Sequence, residues 1–307
     1  MLRILGHPYV LLALTTLFWG GNAVAGKFAI GHVSPMILVF LRWTLACLIM
    51  APFAIGHVRR DWPTIRQNLP LLFCLGACGF TVFNATFYTA VTYTSAINVM
   101  IEQSAMPLVV FVASFLLFRT QVAPLQIVGF LITMIGVALT ASHGDPKTLL
   151  SLDLNRGDAW MLFAVLVYGL YTAALRLKPA ISWQSSIFCL SIAALITAVP
   201  FALVESARGA AQWPDLQGLV VVLYTAVFAS LLSQTFYIRG VELIGGNRAN
   251  LFINLVPIFG SILAVALLGE TLHGYQVLAL AFVIGGILLA EQSARRKIAM
   301  AGERKDE

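Results

Sequence analysis

The chain carries one apolar pattern twice. From Pro107 it reads Pro-Leu-Val-Val-Phe-Val-Ala-Ser-Phe-Leu-Leu-Phe and leads into Gln126, Gly136 and Leu139. From Pro257, 150 positions later, it reads Pro-Ile-Phe-Gly-Ser-Ile-Leu-Ala-Val-Ala-Leu-Leu and leads into Gln276, Gly286 and Leu289, with no gap between the copies. Upstream the echo is fainter: Thr86-Phe87-Tyr88 answers Thr235-Phe236-Tyr237, and Pro52-Phe53-Ala54 answers Pro200-Phe201-Ala202. A chain built this way folds as two like halves, and its composition decides in which solvent. Of 307 residues 60% are hydrophobic and 10% charged, against about 25% charged in a soluble domain. So few charges cannot coat a globule of this size, and lipid must be the solvent for most of it.

A helix needs roughly 20 apolar residues to cross the hydrocarbon core. Ten segments qualify, at about 8–30, 34–56, 68–91, 95–118, 124–141, 157–176, 183–204, 216–238, 247–268 and 274–291. Open strands cannot cross lipid, so the expected fold class is an all-α integral membrane protein with ten transmembrane helices. Its parts are a first five-helix repeat over 1–141, a polar linker over 142–156, a second repeat over 157–291 and a basic tail over 292–307. Five is odd, so the second copy enters from the opposite side: an inverted 5+5 repeat. Such repeats suggest a transporter, because alternating access uses two similar halves around one site.

Charge fixes the orientation, since Lys and Arg favour cytoplasmic loops. With both termini inside, the inner side collects Arg3, Arg59, Arg60, Arg66, Arg119, Arg176, Lys178, Arg239, Arg248, Arg295, Arg296, Lys297, Arg304 and Lys305; the outer side collects Lys27, Lys147, Arg156 and Arg208. The linker is then periplasmic. The net charge of +6 is spread over short loops and the tail, with no extended basic face, so no nucleic-acid partner is expected. Cys74 and Cys78 lie one helical turn apart with no His or third Cys nearby in sequence, so all four cysteines are expected to pack in the core, and no metal. Tyr9 to Trp19 followed by Ala23-Val24-Ala25 resembles a signal peptide, but the apolar run continues to Ile30 and belongs to the repeat, so it is expected to stay. No Gly-x-x-x-x-Gly-Lys-[Ser/Thr] loop appears, and no ATP drive is expected. His7, His32, His57, His143 and His273 are not spaced as paired ligands. Neither an enzyme nor a cofactor is expected.

The pattern Trp19-Gly20-Gly21-Asn22, then Lys27, Pro35 and Arg42, and the later Pro257 followed by Leu268-Gly269-Glu270-Thr271-Leu272, resemble the drug/metabolite transporter superfamily in its ten-helix EamA-type branch. The resemblance runs from the first helix to the tenth and is specific in combination. One departure stands out: the first-half counterpart of Gly269-Glu270 is Arg119-Thr120, without the acid. The chain looks most like the bacterial aromatic amino acid exporters of this superfamily. That resemblance implies a secondary carrier in the bacterial inner membrane, whose partners are the bilayer and a neutral or aromatic amino acid, or another small metabolite or drug.

A polar side chain in lipid is costly and needs a reason. Asn22, Arg42, Asn84 and Glu102, from four helices, share a level about 10–12 Å below the outer surface at 1.5 Å per residue. They read either as the polar lining of a cavity or, for Arg42 and Glu102, as an ion pair joining helices 2 and 4; Glu102 could also hold an ammonium group or a proton. Thr81, Asn84 and Tyr88 are spaced to share one face of helix 3, as their counterparts Ser230, Ser233 and Tyr237 are on helix 8. Asn250 and Asn254, with Asn247, form a similar stripe on helix 9, and Gln103 and Gln234 are further candidates for a cavity or gate. Helix–helix hydrogen bonding is the competing reading for each amide. The expected substrate site is Trp19, Asn22, Asn84, Tyr88, Tyr168, Tyr171, Ser233 and Tyr237. Pro107 and Pro257, at equivalent places inside helices 4 and 9, each remove a backbone bond and suit either a gate or a packing bend.

Overall fold

The computed structural model describes residues 7–119, 124–145, 155–244, 249 and 252–303. Thr120, most of the expected linker, Asn247, Asn250 and the end of the tail lie outside them. All secondary structure among the described residues is helical. We number the long helices α1 (Pro8–Ala29), α2 (Pro35–Gln67), α3 (Leu69–Tyr93), α4 (Ala96–Phe118), α5 (Pro124–Ala141), α6 (Arg156–Leu177), α7 (Trp183–Ala207), α8 (Leu216–Val241), α9 (Val256–Leu268) and α10 (Gly274–Glu303). The first eight are long and apolar enough to cross a membrane; α9 and the apolar part of α10, Gly274–Ala290, are shorter. Large apolar side chains such as Leu48, Phe53, Leu116, Leu117, Leu203 and Leu216 are exposed, as expected where hydrocarbon is the solvent.

Local sequence explains where helices begin. Pro8, Pro35, Pro70 and Pro124 stand in first turns, where a missing N–H costs nothing. The side chains of Ser95, Asn155, Ser182 and Asp215 accept the first free amides of α4, α6, α7 and α8. α4 breaks at Ser104–Ala105 and restarts with Pro107 in its first turn, and a turn at Asn254–Leu255 precedes α9, which starts with Pro257. α4 and α9 then end in left-handed residues, Arg119 (φ 51°) and Gly269 (φ 67°), 150 positions apart. Glycine takes that conformation freely; arginine does not.

The same correspondence runs through the packing. α3 and α8 each contain a π turn, at Ala77–Val82 and Val227–Leu232. α5 lies against α10, where Gly129 meets Gly286 and Gly136 meets Ala279. Gly129 and Ala279 are 150 positions apart, as are Gly136 and Gly286, so each contact is the other with its partners exchanged. A Cβ on Gly286 would stand 2.7 Å from the Thr133 backbone nitrogen, and one on Gly20 would stand 2.7 Å from the Gly260 nitrogen of α9. Only bare backbones can approach this closely.

A third exchange lies between α2 and α7. Near the end of α2, Asp61 Oδ2 accepts from the backbone N (2.9 Å) and Oγ (2.7 Å) of Ser182, which caps α7. Near the end of α7, Glu205 Oε2 accepts from Ser34 Oγ (2.5 Å) and Ile37 N (3.1 Å), and Oε1 from Met36 N (3.3 Å), at the start of α2. Each helix thus places a carboxylate on the positive end of the other's dipole. Glu270 does the same for α4, with Oε1 and Oε2 accepting from Ala96 N (2.8 Å) and Ile97 N (3.1 Å).

The cysteines depart from expectation. Cys47 is buried, but Cys74 and Cys78 are exposed. One helical turn apart on α3, they share its outward face, where a thiol behaves as a small apolar group.

Candidate functional site

Arg42 is set by α2, whose surrounding turns are apolar and buried, so its guanidinium cannot reach water and must find partners inside. It is 5% exposed. Nε donates to Ser230 Oγ on α8 (2.7 Å). Nη1 donates to Asn22 Oδ1 on α1 (3.2 Å), Asn84 Oδ1 on α3 (2.7 Å) and Tyr88 Oη on α3 (2.5 Å). Arg42 also lies 5.2 Å from the Trp43 ring centre and 5.9 Å from that of Tyr88. Four helices therefore meet at one cation. Its acceptors are held in turn: Tyr88 Oη donates to Asn22 Oδ1 (2.9 Å), Ser230 Oγ to Thr225 O (2.9 Å) and Asn84 Nδ2 to Phe80 O (2.5 Å).

Every one of those acceptors is neutral. Among the described residues no carboxylate lies within 4.0 Å of Arg42, and Nη2 makes no hydrogen bond. The Arg42–Glu102 ion pair is therefore absent. Glu102 is fully buried and its carboxylate accepts no hydrogen bond among the described residues; the acid that acts on it electrostatically is Asp158 of α6. Residues that the rise per residue assigns to one depth can still face different neighbours.

The polar stripes divide for a related reason. A π turn adds a residue to the winding and breaks the i, i+3, i+7 face. Asn84 and Tyr88 face Arg42, whereas Thr81 donates to Ala194 O (2.7 Å) and accepts from Thr197 Oγ1 (2.8 Å) on α7. On α8, Ser230 faces Arg42 while Ser233 Oγ turns back to Phe228 O (2.5 Å), satisfying a carbonyl that the π turn frees. Thr81 thus ties α3 to α7, and Ser233 serves its own helix. Gln103, Gln234 and Asn254 are half-buried, with Asn254 Nδ2 unpartnered among the described residues. Asn250 lies outside the described residues.

The remaining aromatic candidates fall into a pair and a larger connected group. Trp19 meets Tyr237 (ring centres 5.6 Å), Tyr168 meets Tyr171 (5.2 Å), and Tyr171 meets Phe80 (6.1 Å). Phe80 stacks on Trp43 at 4.6 Å and 7°, beside Arg42, and Phe83 meets Tyr168 at 4.6 Å. Trp43, Phe80 and Phe83 were not singled out from the sequence; the adjacency of Trp43 to Arg42 was the available signal. Towards the ends of α1 and α2, a cavity of about 160 Å³ is lined by Gly26, Gly31, Ser34, Leu38, Tyr88 and Gln212 among others. Its lining includes Tyr88, the residue that bridges Arg42 and Asn22.

The EamA-like transporter family matches twice, at residues 7–142 and again at 155–291. This chain belongs to the EamA-like transporter family. The membership makes it a multi-pass membrane transporter, with the lipid bilayer as solvent and a small molecule as cargo. The chain is similar over nearly its whole length to the uncharacterized transporter YyaM of Bacillus subtilis, 25% identical over 291 residues and covering 92% of each chain. It is 24% identical over 302 residues to the uncharacterized inner membrane transporter YicL of Salmonella typhimurium, covering 95% of this chain and 97% of that one. A solved crystal structure superposes with a TM-score of 0.64 at 18% identity, over 94% of this chain and 98% of that one, which shows the fold. In an EamA-like chain, then, a buried cation with only neutral acceptors stands between the two matched regions: Arg42, Asn22, Asn84 and Tyr88 come from the first and Ser230 from the second.

Proposed function

We propose that this transporter exports neutral, preferably aromatic, amino acids across the bacterial inner membrane by alternating access, and that Arg42 receives the substrate carboxylate. The observation that carries the reading is the Arg42 guanidinium, buried, held by four neutral acceptors and unpaired with any carboxylate within reach. A buried cation without a counter-charge is costly, and a carboxylate-bearing substrate relieves that cost. The Asn22 and Asn84 amide oxygens and the Tyr88 hydroxyl offer acceptors for an ammonium group, and the wall of Trp43, Phe80, Tyr171 and Tyr168 offers faces for an aromatic side chain.

The architecture that would serve this function is ten transmembrane helices in an inverted 5+5 repeat, with both termini cytoplasmic. Three pairwise exchanges support the inversion: Asp61 and Glu205 capping each other's helix, Gly129–Gly286 with Gly136–Ala279, and the matched π turns. Two family matches of similar length support it as well. The cavity above Tyr88 is small for an amino acid, so loading requires α1, α2 and α3 to part there. The matched breaks before Pro107 and Pro257 are the places where α4 and α9 would bend.

Counterflow in proteoliposomes of purified protein tests the reading. With phenylalanine inside, external labelled phenylalanine, tryptophan and leucine should exchange, aspartate poorly, and phenylalanine amide hardly at all. Exchange of a different solute class with no amino acid movement would keep the carrier and remove the substrate. Exchange of carboxylates lacking an amino group at equal rates would favour a carrier of other carboxylate metabolites.

A further inference from the structure

Glu102 and Asp158 belong to no part of the Arg42 site, yet they are the most thoroughly buried carboxylates described. Both side chains are 0% exposed, and none of their four oxygens accepts or donates a hydrogen bond among the described residues. They stand on the packed helices α4 and α6, near enough to repel one another. Two such carboxylates cannot both stay charged: Glu102 has no cation beside it, Asp158 has an imidazole that is a cation only when protonated, and each acid repels the other. Protons must satisfy what no side chain does.

The surroundings give such a proton a route. Asp158 Oδ2 lies 3.8 Å from Nε2 of His143, whose side chain is 42% exposed. That imidazole also faces Asn98 Nδ2 (3.4 Å), one turn before Glu102 on α4. Asn98 is fixed by Gln276 Nε2 of α10 (2.7 Å) and approaches Thr94 Oγ1 (3.3 Å). The other polar groups facing the pair are the Thr94 hydroxyl, beside Asp158, and the Tyr275 phenol of α10, which faces both carboxylates. Arg156, two residues from Asp158, is exposed, and Glu270 is committed to the amides of Ala96 and Ile97. Glu102 lies in the last turn before the break at Ser104–Ala105, with its own carbonyl accepting from Ala105 N (2.9 Å). There the helix presents its negative end, and a change of charge would act on the bend itself. The second half has no counterpart: the matching position is Phe252.

We propose that Glu102 and Asp158 form a proton-binding site, reached from solvent through His143, that couples transport to the proton gradient. A proton taken from external water by His143 Nε2 passes to Asp158 Oδ2, breaking N–H and forming O–H, and is shared with Glu102. With the pair carrying its full complement of protons α4 holds its present bend; loss of a proton leaves a charge beside Ser104–Ala105 that the dry interior cannot hold, and the segment must open towards water.

The proposal rests on the amino acid reading only for its cargo, so it is tested in two ways. In proteoliposomes, accumulation of labelled phenylalanine is measured with and without an imposed pH gradient, and the ratio is the readout. In the wild type the ratio should rise severalfold above one; in Glu102→Gln it should fall to one whatever the overall rate, and Asp158→Asn should reduce it. A ratio of one in a wild type that exchanges phenylalanine, or an unchanged ratio in Glu102→Gln, overturns the coupling. Should no amino acid move, the protonation itself is read without cargo, by infrared difference spectra of the purified protein in a pH titration. A protonated-carboxyl carbonyl band at neutral pH, lost in Glu102→Gln and diminished in Asp158→Asn, supports the site. A band that neither substitution alters overturns it.

Discussion

Replacing Arg42 by Gln separates its two roles, holding helices and receiving a carboxylate. The side chain donates four hydrogen bonds. All four acceptor residues keep a second bond when it goes: Tyr88 and Asn22 through each other, Ser230 through Thr225 O and Asn84 through Phe80 O. The glutamine amide also retains a donor that can reach part of the cluster. The fold should therefore survive, at a cost of about 1–3 kcal/mol for polar groups left short of partners, while a buried charge is removed rather than stranded. Substrate binding loses more, because a hydrogen bond between charged groups contributes about 1.5–3 kcal/mol, or roughly 10- to 150-fold in affinity. The assay is competition: inhibition of phenylalanine counterflow by phenylalanine and by phenylalanine amide, in wild type and Arg42→Gln at matched membrane abundance. The wild type should prefer the acid by at least tenfold, and the variant should bind the two alike. A folded Arg42→Gln protein that keeps the wild-type preference would refute the carboxylate assignment and leave Arg42 as a helix clamp.

Further outcomes follow from other parts of the structure. Trp19→Ala should weaken transport by roughly fivefold or more through a lost ring contact worth about 1 kcal/mol, whereas Phe115→Ala, on an exposed face of α4, should leave it nearly intact; equal effects would make Trp19 packing. Gly286→Leu should lower thermal stability by about 1–3 kcal/mol or more, because a Cβ there meets the Gly129 carbonyl and the Thr133 nitrogen, and unfolding followed by size-exclusion chromatography checks it. Single cysteines at Asp145 and Ser293 in a cysteine-free background should label only at Asp145 when an impermeant thiol reagent is added to whole cells; the reverse would invert the topology.

Much of the fold was legible because it is written in composition and spacing. The 150-residue echo pairs Arg119 with Gly269, Pro107 with Pro257 and Gly136 with Gly286 before any coordinates. The level shared by Asn22, Arg42 and Asn84 was legible too, since rise per residue is constant along a helix. The direction each side chain faces was less so. The π turns in α3 and α8 shift Thr81 and Ser233 away from the faces their spacing assigns, and nothing in the apolar run 77–82 announces the extra residue. Arg42 and Glu102, assigned to one depth by rise per residue, do not pair. The reciprocal caps were missed because Asp61 and Ser182, like Glu205 and Ser34, are far apart in sequence, and an acid at a helix end resembles an ordinary solvated one.

The central claim is that a buried, unpaired arginine receives the carboxylate of an amino acid. Equilibrium binding of labelled phenylalanine to the purified wild-type protein tests it most directly, with unlabelled phenylalanine and phenethylamine as competitors. Phenylalanine should displace the label completely while phenethylamine, identical but for the carboxylate, competes at least tenfold more weakly; equal displacement by the amine, or no saturable binding of phenylalanine, would contradict it.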